Sequence, residues 1–311
     1  MNRLQHTMQS LYWLVRRELW EHKALWIAPA VTGGLLLVAT VWGFIAMVSN
    51  PEAAAVFNDQ AVPQLQQSGT ADLAHGFTRA GMALLYLVML VVLFFYCLDS
   101  LYGERRDRSI LFWRSLPVSD TMTVLSKVLV ALVVAPLIIV AMAIALEILD
   151  LLTAGPIVAF GTALSYGEYF QPLAVLSAIV GTLGDMWLLG LWFLPYFGWL
   201  FLVSAWARRA AFLWALMPPL GIGLAEYLMF RTTGFFRLIG EHLALPFRGL
   251  SEQQFGFRVD SSGVLTQAGA AGPDLTGLSG LAEPGFWIGL SVGVVFLAGA
   301  TAIRRYRGET A

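Results

Sequence analysis

The chain has 311 residues, of which 58% are hydrophobic and only 13% charged, and its mean hydropathy is +0.71. A soluble domain carries about 25% charged residues, so this composition excludes one and predicts an integral membrane protein. The formal charge of −1 is uninformative about partners, and the single Cys97, set inside an apolar run, excludes an intrachain disulfide.

Residues 2–22 open the chain. Leu4, Met8, Leu11, Val15 and Leu19 recur at spacings of three and four, with Tyr12 beside them. This helical period predicts an amphipathic helix in the cytoplasmic interface, with Trp13 and Trp20 at headgroup level. Arg16, Arg17, Glu18, Glu21, His22 and Lys23 crowd its end. The apolar run that follows exceeds the ~7–15 residues of a signal-peptide core, so it is expected to stay as a span.

A span needs about 20 apolar residues. Six runs meet that length: Ala24–Val48, Ala80–Leu98, Val128–Leu149, Met186–Trp206, Ala210–Phe230 and Phe286–Ile303. Only Ala207, Arg208 and Arg209 separate the fourth from the fifth, which predicts a tight turn between antiparallel neighbours. Pro136, Pro195, Pro218 and Pro219 lie within spans and predict kinks, because the ring removes a donor and crowds the preceding turn. Trp26, Tyr102, Trp113, Trp206, Trp287 and Tyr306 stand at span ends as belt anchors.

Orientation follows from the basic residues. With the N-terminus inside, the inner segments hold fourteen of the Lys and Arg residues and the outer segments five. Four of those five (Arg231, Arg237, Arg248, Arg258) fall in one long outer loop, where the positive-inside rule has little force. Both termini are therefore expected in the cytoplasm. Residues 49–79 form a polar outer segment, and 150–182 a second one that ends in the fairly apolar PLAVLSAIVGTLG, a piece suited either to the membrane surface or to extending the fourth span. In 231–285, GFFRLIGEHLALPFRGL suits interfacial or re-entrant helices, and the Gly- and Ser-rich remainder reads as loop.

Enzyme signatures are missing. Lys23 and Lys127 follow His22 and Ser126, so neither completes a phosphate-binding G-x-x-x-x-G-K-[ST] loop. His6, His22, His75 and His242 are scattered without an H-E-x-x-H pair, and no G-x-S-x-G elbow occurs. No catalytic residue, metal or cofactor is expected in this chain. Carboxylates in lipid are costly and mark transport paths, which makes Glu226, Glu147 and Asp185 candidates for a translocation path.

The stretch Asp99–Lys127 carries five basic and four acidic residues around Ile110, Leu111, Phe112 and Trp113. Pro117 ends any helix there, and Ser119 or Asp120 can cap the next. Glu104-Arg105, Asp107-Arg108-Ser109-Ile110-Leu111, Leu116-Pro117 and Ser126-Lys127 ahead of a span together resemble the cytoplasmic loop of ABC-2 type ABC transporter permeases. Ser109-Ile110 stands where many members have Gly-Thr. The order of amphipathic helix, six spans, tight inner turn and outer re-entrant segment is similar to that family along the whole chain, and the motif covers about 25 residues.

The resemblance implies an all-α polytopic membrane protein with six transmembrane helices, an N-terminal amphipathic interfacial helix and a cytoplasmic coupling helix, in one domain over 1–311. It implies an exporter subunit of a bacterial inner membrane. ATP and Mg would be held by a separate cytoplasmic ATPase, and a second permease copy, identical or related, would complete the path. No nucleic-acid partner is expected. Phe112 or Trp113 would be the apolar anchor on the ATPase, with Glu104, Arg105, Asp107, Arg108 and Arg114 as a charged rim and Pro117 closing the helix. Replacing Glu104 or Arg108 is then expected to uncouple hydrolysis from transport without preventing insertion. The alternative is an ATP-independent secondary transporter using the intramembrane carboxylates.

Overall fold

The computed structural model describes residues 3–56, 58–59, 71–107, 118–161, 184, 186–253, 257–259, 265–267 and 281–307. In chain order the helices are α1 (Arg3–Glu21), α2 (Ala24–Ser49), α3 (Pro51–Val56), α4 (Ala71–Arg106), α5 (Asp120–Leu129) and α6 (Ala135–Gly161). They continue as α7 (Met186–Trp192), α8 (Leu194–Trp206), α9 (Ala211–Phe230), α10 (Gly234–Gln253) and α11 (Pro284–Arg307). Two three-residue strands, β1 (Phe257–Val259) and β2 (Leu265–Gln267), pair antiparallel within the segment expected to be loop.

Among the described residues, five stretches are long and apolar enough to cross a membrane: Ala24–Gly43, Leu84–Arg106, Asp120–Leu149, Ala211–Phe230 and Pro284–Tyr306. A sixth forms if α7 and α8, bent by 54° at Phe193, count as one. This is the architecture of an integral membrane protein, and all six expected runs find their helix. Pro195 explains the bend. Its missing N–H is harmless in the first turn of α8, where no intrahelical partner would exist anyway.

The other prolines behave differently. A π-helical turn, Val130–Val134, joins α5 to α6 immediately before Pro136. Such a turn widens the backbone where the ring would otherwise strike the preceding carbonyl. Pro218 and Pro219 sit inside a continuous α9.

The core is shared by α4, α8, α11, α2 and α6. Leu85, Met89, Leu93, Tyr96, Cys97 and Leu101 recur at spacings of three and four and are buried along one face of α4. Cys97 is thus a small core hydrophobe, as its apolar surroundings imply. The closest crossing is between α8 and α11. A Cβ on Gly198 would stand 2.7 Å from the Gly293 carbonyl oxygen, and one on Gly293 would stand 2.8 Å from the Leu194 carbonyl carbon. Glycine lets the two backbones touch, a common device between membrane helices. By contrast α9 exposes Leu213, Met217, Leu220, Leu224 and Leu228, as a helix flanked by lipid would.

The buried side of α1 differs in part from the stripe expected. Met8 and Tyr12 are exposed, and Leu14 and Glu18 are buried against the bundle. Trp13 and Trp20 point outward with the Arg16 guanidinium 5.1 and 5.9 Å from their rings. The turn between α8 and α9 is as tight as expected, with Ala210 in the left-handed region at φ 50°.

Candidate functional site

At the basic end of the bundle four elements converge on one buried set of charges. Glu104 marks its centre. The sequence assigns Asp99–Arg106 to a loop, but α4 runs through to Arg106. The helical period then puts Glu104 one turn beyond Ser100 and Leu101, on the same inward face as Cys97.

Glu104 faces three cations. Its Oε1 accepts from Arg17 at 2.7 Å and lies 3.0 Å from Lys127 Nζ, and its Oε2 accepts from Arg304 at 2.6 Å. Lys127, 0% exposed, also donates to Glu18 Oε1 at 2.8 Å. Glu18 in turn accepts from Arg17 at 3.1 Å and from the Tyr96 hydroxyl at 3.2 Å. Arg304 completes the set through a 3.0 Å bond from its Nε to Asp120 Oδ1. Glu18, Glu104 and Asp120 thus meet Arg17, Lys127 and Arg304, and Glu21, half-exposed at the edge, adds a fourth carboxylate 3.1 Å from Arg17. Burial of charge is tolerable only with such pairing, since an isolated ion would carry a desolvation penalty of several kcal/mol.

Burial and the neighbouring charges together act on the groups at the margin. Burial opposes the charged form of Arg17, but Glu18, Glu104 and Glu21 outweigh it and hold its pKa above the usual arginine value. His22 moves the opposite way. Burial lowers its pKa and Lys127 adds to that, against the attraction of Glu18, Asp99 and Glu21. Its ring packs edge-on against Tyr96 at 4.8 Å, with Nε2 3.8 Å from Glu18 Oε2. A histidine held neutral favours the fold above the ordinary histidine pKa of about 6.5. That contribution is lost as pH falls through and below this value, because the unfolded chain takes up the proton first. The wild-type melting temperature in detergent is therefore expected to drop from pH 7 to pH 5.5, and His22→Gln to flatten the drop. An unchanged slope in the variant would remove His22 from this role.

The expected site residues divide into several groups. Glu104, expected on the charged rim of a partner contact, lies inside the bundle at 6% exposure with its oxygens on Arg17, Lys127 and Arg304. Arg105 turns to the C-terminus of α8, where its guanidinium donates to the carbonyls of Ser204 and, at 2.9 Å, Ala207. A cation there also meets the negative end of the helix dipole. The Ser204 hydroxyl reaches back to the N–H groups of Leu101 and Tyr102 at 3.1 and 2.9 Å, so α4 and α8 are laced together. Asp107 is exposed and pairs with Arg106 at 3.0 Å. Arg108, Phe112, Trp113, Arg114 and Pro117, with the coupling helix they would form, lie outside the described residues. Of the two expected caps, Ser119 accepts from the Met122 N–H at 3.2 Å, which leaves Asp120 for Arg304.

The path candidates fare differently. Glu226 caps the start of α10, accepting from the N–H groups of Gly234 and Phe235 at 2.8 Å each and from the Thr232 hydroxyl at 2.7 Å. Such a carboxylate completes a helix N-terminus. Arg231 lies over the Tyr227 ring at 5.7 Å. Glu147 is half-buried on α6, and Asp185 lies outside the described residues.

At the end of α7, beside the α7–α8 break, Trp192 exchanges bonds with His242 on α10. The Trp192 indole donates to the His242 carbonyl at 2.8 Å, and His242 Nε2 lies 3.1 Å from the Trp192 carbonyl, with the rings stacked at 4.5 Å. Burial lowers the His242 pKa against that carbonyl. Arg237, Glu241 and Glu283 border an open cleft of about 340 Å³ beside them. Among the described residues no group of His, Cys, Asp or Glu could hold a metal ion.

Glu18, Arg17, Tyr96 and Arg304 were not singled out by sequence reasoning as parts of one site. Glu18 is four residues beyond Leu14 and Arg304 four beyond Ala300, so each extends by one turn a stripe whose burial only the folded bundle shows. Compared with protein-family models, with curated proteins and with solved structures, the chain has no match.

Proposed function

We propose that the chain is the membrane-spanning permease subunit of an ABC-2 type exporter in a bacterial inner membrane, with both termini in the cytoplasm. A separate cytoplasmic ATPase binds ATP and Mg, and a second permease copy completes the path between them. The observation that carries this reading is the convergence of the motif's two ends. Glu104 opens the resembling stretch and Lys127 closes it, 23 positions apart in the sequence, yet they form one buried ion pair of 3.0 Å. A loop stapled at its base, and joined there to the first and last helices, is suited to receive a push from a partner and pass it to the bundle. A solvated linker would need no buried staple.

In this reading Arg108, Phe112, Trp113 and Arg114 meet the ATPase, and Glu104, Arg105 and Lys127 hold the ground they stand on. The ATPase, not this chain, performs the chemistry, and its closure on ATP shifts the permease dimer between two states. The carboxylate-driven alternative is weakened by Glu226, whose oxygens are committed to the start of α10.

The test is capture of the tagged chain from its native membranes in mild detergent, with mass spectrometry of what accompanies it. A stoichiometric partner carrying its own nucleotide-binding loop is expected, and it should be lost from Phe112→Ala and Arg108→Ala. A chain that purifies without any ATPase would overturn the reading.

A further inference from the structure

The loop between α4 and α5 is held at both ends by a single side chain that belongs to neither helix. Arg304, on the last turn of α11, donates from Nη1 to Glu104 at the end of α4 and from Nε to Asp120 at the start of α5, at 2.6 and 3.0 Å. Its side chain is only 4% exposed. These are two different edges of one planar guanidinium, aimed at carboxylates 16 positions apart in the sequence.

We infer that Arg304 is a positioning residue, a clasp that sets the separation of the α4 and α5 ends and ties both to the last span. The inference rests on the permease reading only for what the loop meets. The clasp itself follows from the geometry. Lys127 holds Glu104 to Glu18 on α1 and leaves Asp120 aside, so it cannot substitute. Charge alone would not do either. An ammonium is a compact donor on a flexible stem, whereas a guanidinium presents fixed, diverging N–H groups that serve two acceptors at once. Asp120 bonds Arg304 while the neighbouring Ser119 caps α5. When α11 moves, both ends of the loop must move with it.

The test uses the full chain with Cys97→Ser, which leaves no native thiol, and spin labels on Asp107→Cys and Val118→Cys. The distance between labels is expected to be narrowly distributed in the otherwise native chain. It should broaden in Arg304→Lys and Asp120→Asn, and stay narrow in Asp120→Glu, where the carboxylate is kept. Equally narrow distributions in Arg304→Lys and Asp120→Asn would overturn the clasp. A second readout is the amount of ATPase captured, expected to fall about tenfold in Arg304→Lys, as a loss of about 1.4 kcal/mol of binding would give. Capture at the native level would overturn the positioning role. Absence of any ATPase from the native chain would instead count against the permease reading, and the label distances would still decide the clasp.

Discussion

Glu104→Gln is expected to destabilise the chain by about 3–5 kcal/mol, the range found when one member of a buried ion set is removed. Gln keeps the shape but not the charge, and it leaves Arg17, Lys127 and Arg304 facing one another around a neutral amide. The sequence alone leads to a different expectation, loss of coupling in an otherwise intact protein. Burial changes that, because the residue now belongs to the fold first. Insertion should still be normal, since it depends on the apolar runs and not on this carboxylate.

Thermal unfolding in detergent, followed by the fluorescence of the 11 tryptophans, would show the loss. Adding Lys127→Met removes one of the stranded cations, and the remaining pairs, Arg17 with Glu18 and Arg304 with Asp120, are again balanced. The double variant should therefore be more stable than Glu104→Gln alone. A Glu104→Gln chain that melts with the native one would show that the charges are solvated rather than paired.

Gly198→Val should also be damaging, by a steric route. The nearest obstacle to a side chain there is the Gly293 backbone, at 2.7 Å from the first added carbon. A flexible side chain could swing away, but a helix backbone can only separate. Overpacking a tight core costs about 1–3 kcal/mol, occasionally more, and here the whole α8–α11 contact must open. Trp199 and Phe296, whose rings lie 5.6 Å apart beside that crossing, would separate with it. The variant should insert and then run as an expanded, early-melting species on size exclusion. Gly240→Val provides the control, because nothing stands within 4 Å of a Cβ at that position. Equal melting of both variants would show that the crossing does not depend on glycine.

The legibility of the fold and of the site differs for a physical reason. Membrane helices must satisfy every backbone polar group within themselves, so a run of about 20 apolar residues announces its own structure. That is why Ala24–Val48 or Phe286–Ile303 could be read directly, and why Pro195 foretold a break in the fourth span. Charged residues give no such local signal. Asp99–Arg106 looks like a loop because it is polar, yet it continues α4, and only the continued helix turns Glu104 inward. Glu226 looks like a path residue because it sits in an apolar run, yet α10 folds back to meet it. In both cases the partner lies on another element.

Composition and hydropathy by themselves thus determined a membrane protein, its spans, its tight α8–α9 turn and the concentration of basic residues in one set of segments. The resembling stretch supplied the functional expectation. What only the tertiary structure decided is which charges belong together: Glu18 with Lys127, 109 positions apart, and Glu104 with Arg304, 200 apart. Hydrophobic runs are selected one helix at a time by the surrounding lipid. Ion pairs are selected by the packing of helices against each other, because a charge is stable in the interior only where another element brings its counter-charge within hydrogen-bonding distance.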